Sequence, residues 1–504
     1  MKSFITGLIV LVSIVLVGPA HQQAAAQTST LGELRSAIDA VIAASDMPNA
    51  WWTVNVKEVA SENAWYQKDV GRSFIPASNT KLYTTAAALD LLGPDYRYET
   101  SLWTDGTVSS GVLEGNLIVK GSGDPVIGGR FNGGDITKQF RDWADSLKVL
   151  GIHRINGSII GDDNAFDDQA LGYGWQWDDL DFWYAAETSA LSFNDNCVDF
   201  ALVALAENMP AELRWEPMMT TYIQASNHSI STMAGGGIVE GYARKGDSNS
   251  FVLSSKVPVG KTDFESLTVK NPTQYFVHVL REVLLAEGIS VIGSPVDIDD
   301  LLILPTYQLP EYEAGFLFST FSPPLSDIVR VLNKNSQNLY AEQLLKTIAK
   351  EAPVQGYTKG SAAMGFARSK RFFGKTRIDT LHIQLVDGSG LARQNLVTSD
   401  MTMNLLLHMA HHPTLGVSKA FYDSLPIGGV DGTLSGRMKG TAAQNNVRAK
   451  TGTVGNASAL SGYVTTNSGT KLAFSIMANH FIGSSRGPRA VQDEIVAILA
   501  SHDQ

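Results

Sequence analysis

The sequence predicts an α/β (α+β) core assembled from both ends of the chain and split by a large strand-rich insertion. Three observations predict it. The chain has 504 residues, more than one hydrophobic core usually holds. Strand patterns occur at both ends, at residues 51–56 and again at 459–465 and 471–479, with helical patterns between them. From about residue 95 to 305 the texture changes to short alternating strands separated by Gly- and Asp-rich turns.

The elements justify this in order. Met1-Lys2-Ser3 is a short basic start, followed by an apolar stretch over 4–17, then Gly18-Pro19 and the small-residue run Ala24-Ala25-Ala26. That is the order of a secretory signal, expected to span 1–26 and to be cleaved after Ala26. A membrane-spanning anchor fits less well, because the apolar core is shorter than the roughly 20 residues a spanning helix needs and helix breakers follow it at once. Residues 31–44 read as an amphipathic helix and 51–56 as a strand. A turn region leads to a helix over 79–92, rich in Ala and Leu and closed by Gly93-Pro94. Within the insertion, strands are predicted at 113–120, 154–161, 198–204 and 220–224, with helices at 136–150 and 272–287. After Phe321-Ser322-Pro323-Pro324, helices follow at 325–333, 339–350, 358–373 and 398–412, and a last helix at 488–500.

Apolar residues make up 44% and charged residues 18%, an ordinary globular balance. A net charge of −11 with no long basic run argues against a nucleic-acid partner. Cys197 is the only cysteine, so no intramolecular disulfide forms and the thiol reads as a small buried hydrophobe. Gly260-Lys261-Thr262 lacks the glycine at 255 that a phosphate loop needs. His408, His411 and His412 sit at a helix end before Pro413 without an acidic partner motif, so no metal is expected. The aromatic cluster of Trp175, Trp177, Phe182, Trp183 and Tyr184 reads as core packing or as a sugar-stacking platform.

Three short motifs carry chemistry. Ser78-Asn79-Thr80-Lys81 places a hydroxyl and an amine three residues apart at a helix start, on one face. A serine is a weak nucleophile until a base removes its proton, and a lysine can serve only if its pKa falls from about 10.4 toward neutrality. The spacing alone is weak, since Ser468-Gly469-Thr470-Lys471 repeats it in a turn context. Lys450-Thr451-Gly452-Thr453 carries the chain's only Lys-Thr-Gly, before a strand, where glycine lets a substrate backbone approach closely. Lys450 could bind a substrate carboxylate and help depress Lys81. Ser336-Gln337-Asn338 lies between two helical runs. Ser192-Phe193-Asn194 has the same form, so the order of the three motifs is what informs. Ser-x-x-Lys, then Ser-x-Asn, then Lys-Thr-Gly is the trio of penicillin-binding proteins and class A β-lactamases.

With these residues in hand, the chain resembles the low-molecular-mass class C penicillin-binding proteins, the D-alanyl-D-alanine carboxypeptidase/endopeptidase family. The resemblance extends over Gly123-Asp124-Pro125, the segment 175–180, the segment 189–196, Asp387-Gly388-Ser389-Gly390 and the segment 425–434. It implies a serine transpeptidase/β-lactamase-like catalytic domain of residues 27–94 and 306–504, an inserted domain of 95–187 and 262–305, and a third domain, 188–261, nested inside the second. It implies hydrolysis of the terminal D-Ala-D-Ala bond of peptidoglycan stem peptides, and often of D-Ala crosslinks, without metal or cofactor, with β-lactams as covalent inhibitors. By matched position Ser78 is the acylated nucleophile and Lys81 its base. Ser336 relays a proton to the leaving amine and Asn338 holds the substrate amide. Lys450 and Thr451 meet its carboxylate, Gly452 and Thr453 belong to the same substrate-binding strand, and the backbone N–H groups of Ser78 and Thr453 form the oxyanion hole. Asp179 and Arg393 are the expected rim residues. The implied location is the periplasm or cell envelope, with no membrane span after signal cleavage. Two other readings stay open: a β-lactamase or esterase of the same fold, disfavoured by the long insertion and the lack of a Glu-bearing deacylation loop, and a non-catalytic cell-wall-binding scaffold.

Overall fold

The computed structural model describes residues 30–303, 315–352 and 358–503. The expected signal peptide at 1–26 lies outside them.

The two chain ends meet in one antiparallel sheet. The N-terminal part gives helix α1 (Leu31–Ala43) and strands β1 (Trp51–Glu58) and β2 (Ala64–Lys68), then helix α2 (Thr80–Leu91). The C-terminal part gives α3 (Leu325–Asn335), α4 (Asn338–Lys350), α5 (Ala362–Lys375), α6 (Ser399–Ala410), α7 (Leu415–Ser424), β3 (Arg448–Val454), β4 (Ala457–Thr465), β5 (Lys471–Asn479) and α8 (Arg486–Ala500). The strand order is β2-β1-β5-β4-β3, which puts the Lys-Thr-Gly strand at an edge. Side-chain alternation covers both faces of this sheet. Trp52, Val54 and Val56 of β1 join Phe474 and Ile476 of β5 under α1 and α8. Ala473 and Met477 point the other way, into a core shared with Leu82, Tyr83 and Ala86 of α2 and with α3 to α7. Helix α2 is therefore enclosed, and most of its residues are buried. The lone Lys81 in that apolar setting is the anomaly.

The insertion builds its own sheets. A five-stranded one contains Glu99–Thr104, Leu117–Lys120, Ile159–Asp162, Val296–Asp297 and Phe316–Phe321, and a four-stranded one contains Thr107–Ser109, Val112–Glu114, Arg154–Ile155 and Ser290–Val291. Helices Lys138–Val149 and Pro272–Ala286 fill the space between, through Phe140, Trp143, Tyr275 and Phe276. Three expected strands change here, and two pairings cross the expected domain boundaries. The predicted strands 113–120 and 154–161 each break into two that serve different sheets, and the breaks meet where the Gly157 N–H donates to the Gly115 carbonyl at 3.0 Å. The strand expected at 220–224 is a turn leading into Gln224–Asn227. Thr262–Thr268 pairs with Cys197–Val203, so it shares a sheet with the segment expected to end at 261. Phe316–Phe321 pairs antiparallel with Glu99–Thr104. These last two pairings join segments far apart in sequence. A single buried apolar cluster runs from Leu102 and Trp143 through to Phe200 and Phe251, joining the two inserted segments.

Candidate active site

A tight turn, Ala77–Asn79, carries Ser78 into α2, and three other segments close on it. Ala77 takes a positive φ of 47°, which costs a non-glycine residue of the order of 1 kcal/mol and is held by what surrounds it. Edge strand β3 lies against this turn. A methyl group on Gly452 would come within 2.6 Å of the Pro76 carbonyl and 3.1 Å of the Ser78 nitrogen, so only glycine permits the approach. The Asn79 amide clamps it by donating to the Lys450 carbonyl at 2.9 Å. From the other side comes the loop 387–390. Its Gly390 has a φ of 85° and backs onto the Ala77 carbonyl, which a Cβ would reach at 1.9 Å.

Lys81 is the hub. Its ammonium donates to Ser78 Oγ at 3.0 Å, Asn338 Oδ1 at 2.6 Å and the Ser389 carbonyl at 2.7 Å, and the residue is wholly buried. The Asn338 amide is oriented by its other end, which donates to the Tyr184 carbonyl at 2.6 Å, so its oxygen faces the lysine. Two of the three N–H directions are thus fixed by oxygens that can only accept. The third points at the one partner that can also donate, the Ser78 hydroxyl. Loss of a proton from Lys81 therefore leaves its lone pair on Ser78.

Burial makes that loss accessible. It lowers the Lys81 pKa from 10.5 to about 7, against the opposing pull of the Asp387 and Glu342 carboxylates. Glu342 is itself pushed up to about 7 by burial and by Asp387, although it accepts the N–H groups of Gly388 and Ser389 at 2.9 and 2.8 Å. Lys81 and Glu342 stabilise one another's charges, but loss of water outweighs this for both. Asp387 accepts from Gly390 N, Ala392 N, Asn395 Nδ2 and Trp175 Nε1, and burial raises it too.

The second ammonium belongs to Lys450. It donates to Ser336 Oγ at 2.9 Å and to the Thr451 carbonyl at 2.9 Å, and burial, then the Lys81 charge, holds its pKa well below the ordinary lysine value. Ser336 ends α3 in the left-handed conformation, φ 59°, and α4 restarts at Asn338. That break sends the Ser336 hydroxyl toward Lys450 and the Asn338 amide toward Lys81. The three motifs converge as the sequence predicts.

The remaining expected residues have partners of their own. Thr451 Oγ1 donates to Thr433 Oγ1 at 2.8 Å, and exposed Thr453 receives a hydrogen bond from Arg489 of α8 at 3.0 Å. Arg393 lies beside Gly455, just past β3. Asp179 accepts from the Tyr184 hydroxyl at 3.2 Å, one residue's length from the carbonyl that holds Asn338. The aromatic cluster divides: Trp177 is exposed, Phe182 stacks on Tyr184, and Trp175 reaches the buried Asp387 at 3.0 Å. Sequence reasoning assigned no role to Glu342, Asp387 or Arg489, and read Trp175 and Tyr184 only as core packing or a stacking platform. Glu342 carried a signal, being four residues after Asn338 and so on the same helical face. The others depend on long-range contacts. Of the decoys, His412 pairs with Asp90 at 3.1 Å and His411 bonds the Val59 carbonyl. Ser468-Gly469-Thr470-Lys471 forms the turn between β4 and β5.

A sequence model of the D-Ala-D-Ala carboxypeptidase 3 (S13) family matches residues 34–502. The chain belongs to this family. A D-alanyl-D-alanine carboxypeptidase of Actinomadura sp. (strain R39) is 31% identical over 98% of this chain and 89% of its own. The D-alanyl-D-alanine carboxypeptidase DacB of Haemophilus influenzae is 29% identical over 79% of each. Among solved structures, penicillin binding protein 4 (dacB) from Haemophilus influenzae superposes with a TM-score of 0.73 at 24% identity, covering 93% of this chain and 98% of that one. The same protein complexed with a β-lactam gives 0.70 at 23% identity. The mixed α/β S13 fold, insertion included, is therefore that of penicillin binding protein 4. Among the described residues, no helix is long and apolar enough to cross a membrane.

Proposed function

We propose that this S13 protein is a serine DD-peptidase that cleaves the terminal D-Ala-D-Ala bond of peptidoglycan stem peptides through an ester on Ser78. The observation that carries this is the buried Lys81 ammonium, 3.0 Å from Ser78 Oγ and with its pKa lowered to about 7. As a neutral amine, Lys81 takes the Ser78 proton while the oxygen attacks the carbonyl of the penultimate D-Ala. The N–H groups of Ser78 and Thr453 receive the oxyanion, with Gly452 keeping the two segments close; loss of such a donor typically costs about 10²–10³ in rate. Asn338 holds the substrate amide. Ser336, tied to Lys450, passes a proton to the leaving nitrogen, and Lys450 with Thr451 meets the terminal carboxylate. Asp179 and Arg393 contact the acyl part of the substrate at the rim. Water then cleaves the ester.

β-Lactams acylate the same serine, and crosslinked D-Ala bonds are substrates as well. The protein acts in the periplasm or cell envelope after removal of residues 1–26. The three-part division belongs to this reading, with Thr262–Thr268 moved to the nested part and Phe316–Phe321 to the inserted part by their strand pairing.

The test is D-Ala release from a stem pentapeptide by the purified mature chain. Sustained release, abolished by Ser78→Ala, is expected. Unchanged release by that variant would overturn the assignment. A penicillin adduct that clears within seconds would point to a β-lactamase instead, and absence of any turnover to a scaffold.

A further inference from the structure

Three consecutive residues of the insertion, Asn194, Asp195 and Asn196, hold positive φ angles of 48°, 54° and 55°. The left-handed conformation costs an ordinary residue roughly 1–2 kcal/mol, and even Asn and Asp visit it as single residues. The outer two members hold the turn together. Asn196 Oδ1 accepts from Phe193 N at 3.0 Å, its Nδ2 donates to the Glu187 carbonyl at 2.8 Å, and Asn194 Nδ2 donates to Asp199 at 2.9 Å. The middle carboxylate takes no part in this. Asp195 Oδ2 instead accepts from Arg130 Nε at 2.6 Å and from Gln337 Nε2 at 2.8 Å. A strained turn whose central side chain serves another segment calls for a reason outside the turn.

That segment is Ser336-Gln337-Asn338. Gln337 is 1% exposed and lies between the end of α3 and the start of α4. The three side chains diverge: Ser336 meets Lys450 at 2.9 Å, Gln337 meets Asp195, and Asn338 meets Lys81 at 2.6 Å. Only the middle one makes no hydrogen bond to a lysine of the site. On this side the loop borders a cavity of about 980 Å³ instead of packed side chains, and Arg130, Asp195 and Gln337 line it, so the Asp195–Gln337 bond ties one wall to the other. Farther along α4, Gln343 donates to the Ser189 carbonyl at 2.7 Å and Lys346 to Asp167 at 2.7 Å. The helix that starts with Asn338 is thus gripped along its length by one stretch of the insertion, 167–195.

Resting on the peptidase reading, we propose that Asp195 is a positioning residue for acylation, acting through Gln337 on Ser336 and Asn338. The left-handed turn fixes the carboxylate, and the carboxylate fixes Gln337. The backbone on either side of Gln337 then carries the hydroxyl to Lys450 and the amide to Lys81. An error of about 1 Å in groups of this kind can cost 10²-fold in rate. The insertion therefore takes part in assembling the catalytic groups, and breaking this one link should slow the chemistry more than it lowers Tm.

The experiment measures the second-order rate of acylation by benzylpenicillin, together with Tm, on the full mature chain. Asp195→Ala removes the acceptor. Gln337→Met removes the donor at nearly constant volume and leaves the turn untouched. Asp195→Asn keeps an oxygen for Gln337 but loses the charge that pairs with Arg130. Each of the first two variants is expected to slow acylation tenfold or more. Combined, they should fall no more than threefold below the slower single variant, because both break the same link. Asp195→Asn should stay within threefold of the wild type. A smaller loss in Gln337→Met, losses that multiply in the double variant, or an Asp195→Asn as slow as Asp195→Ala would overturn the inference and spare the peptidase reading. Should Asp195→Ala not fold, Gln337→Met and Asp195→Asn decide the matter alone. A wild-type protein that penicillin does not acylate fails the peptidase reading itself, and this inference with it.

Discussion

With Lys81 as the proposed base, its lowered pKa makes the acylation rate a titration curve. The neutral amine is the reactive form, so protonation as pH falls removes activity. With a pKa of about 7, roughly half of the molecules hold a neutral Lys81 at pH 7, against about one in 3,000 for a lysine at 10.5. Burial thus supplies about a thousandfold more competent base at pH 7, equivalent to ~4 kcal/mol at ~1.4 kcal/mol per tenfold. The second-order rate of acylation by benzylpenicillin, followed by stopped-flow, is expected to plateau above about pH 8 and to fall about tenfold per pH unit below 7. Glu342→Gln sharpens the test. The Glu342 carboxylate raises Lys81, so its removal should move the midpoint below that of the wild type. The variant should also be less stable by about 1–3 kcal/mol, because a glutamine oxygen can serve only one of the Gly388 and Ser389 N–H groups. A rate that is flat between pH 5.5 and 8, a midpoint at 9 or above, or an upward shift in the variant would refute burial as the cause of activation.

Three further outcomes are expected. Gly452→Ala forces its methyl group within 2.6 Å of the Pro76 carbonyl; penicillin acylation should drop at least about 100-fold, as for loss of an oxyanion donor, with thermal unfolding shifted far less than for a core substitution. Asp124 is buried without a cation, and its pKa is pushed up to about 7 from 3.8. Its ionisation therefore weakens the fold increasingly as pH rises from about 4 to 7, and the penalty is full above that. Asp124→Asn keeps the acceptor for Val126 N and should raise Tm at pH 8, by at most ~4 kcal/mol of stability, and have little effect at pH 4. Trp175→Phe removes one of four donors to Asp387; its effect should fall on kcat/KM for peptide substrates more than on Tm, and an unchanged pH profile with unchanged kcat/KM would deny Trp175 a positioning role.

The Ser78–Lys81 contact was legible because it obeys a local rule: the two are three residues apart on one helix face, and Lys81 is the only basic residue of a helix rich in Ala and Leu. Lys450 was legible through Gly452, whose place after a lysine and threonine at a strand start reads as a demand for close approach. What surrounds them was not. Glu342 and Asp387 gain meaning only when the loop 387–390 returns beneath α2, a contact spanning some 45 residues to α4 and about 300 to α2. Trp175 was read as core or stacking platform because a tryptophan in an insertion says nothing of the buried carboxylate its N–H will find. The strand pairings that cross residues 261 and 306 were hidden for a related reason. Strand membership is decided by a partner, and the partners of Thr262–Thr268 and Phe316–Phe321 lie about 65 and 220 residues away. The breaks at Gly115 and Gly157 likewise show only when the two segments are laid side by side.

The most direct test of Ser78 as nucleophile is peptide mapping of the penicillin adduct. Trypsin should yield the 73–81 peptide carrying the penicilloyl mass, with fragmentation placing it on Ser78. A penicilloyl group found on Ser336, Ser389 or any other side chain, in a protein whose Ser78 remains free, would contradict it.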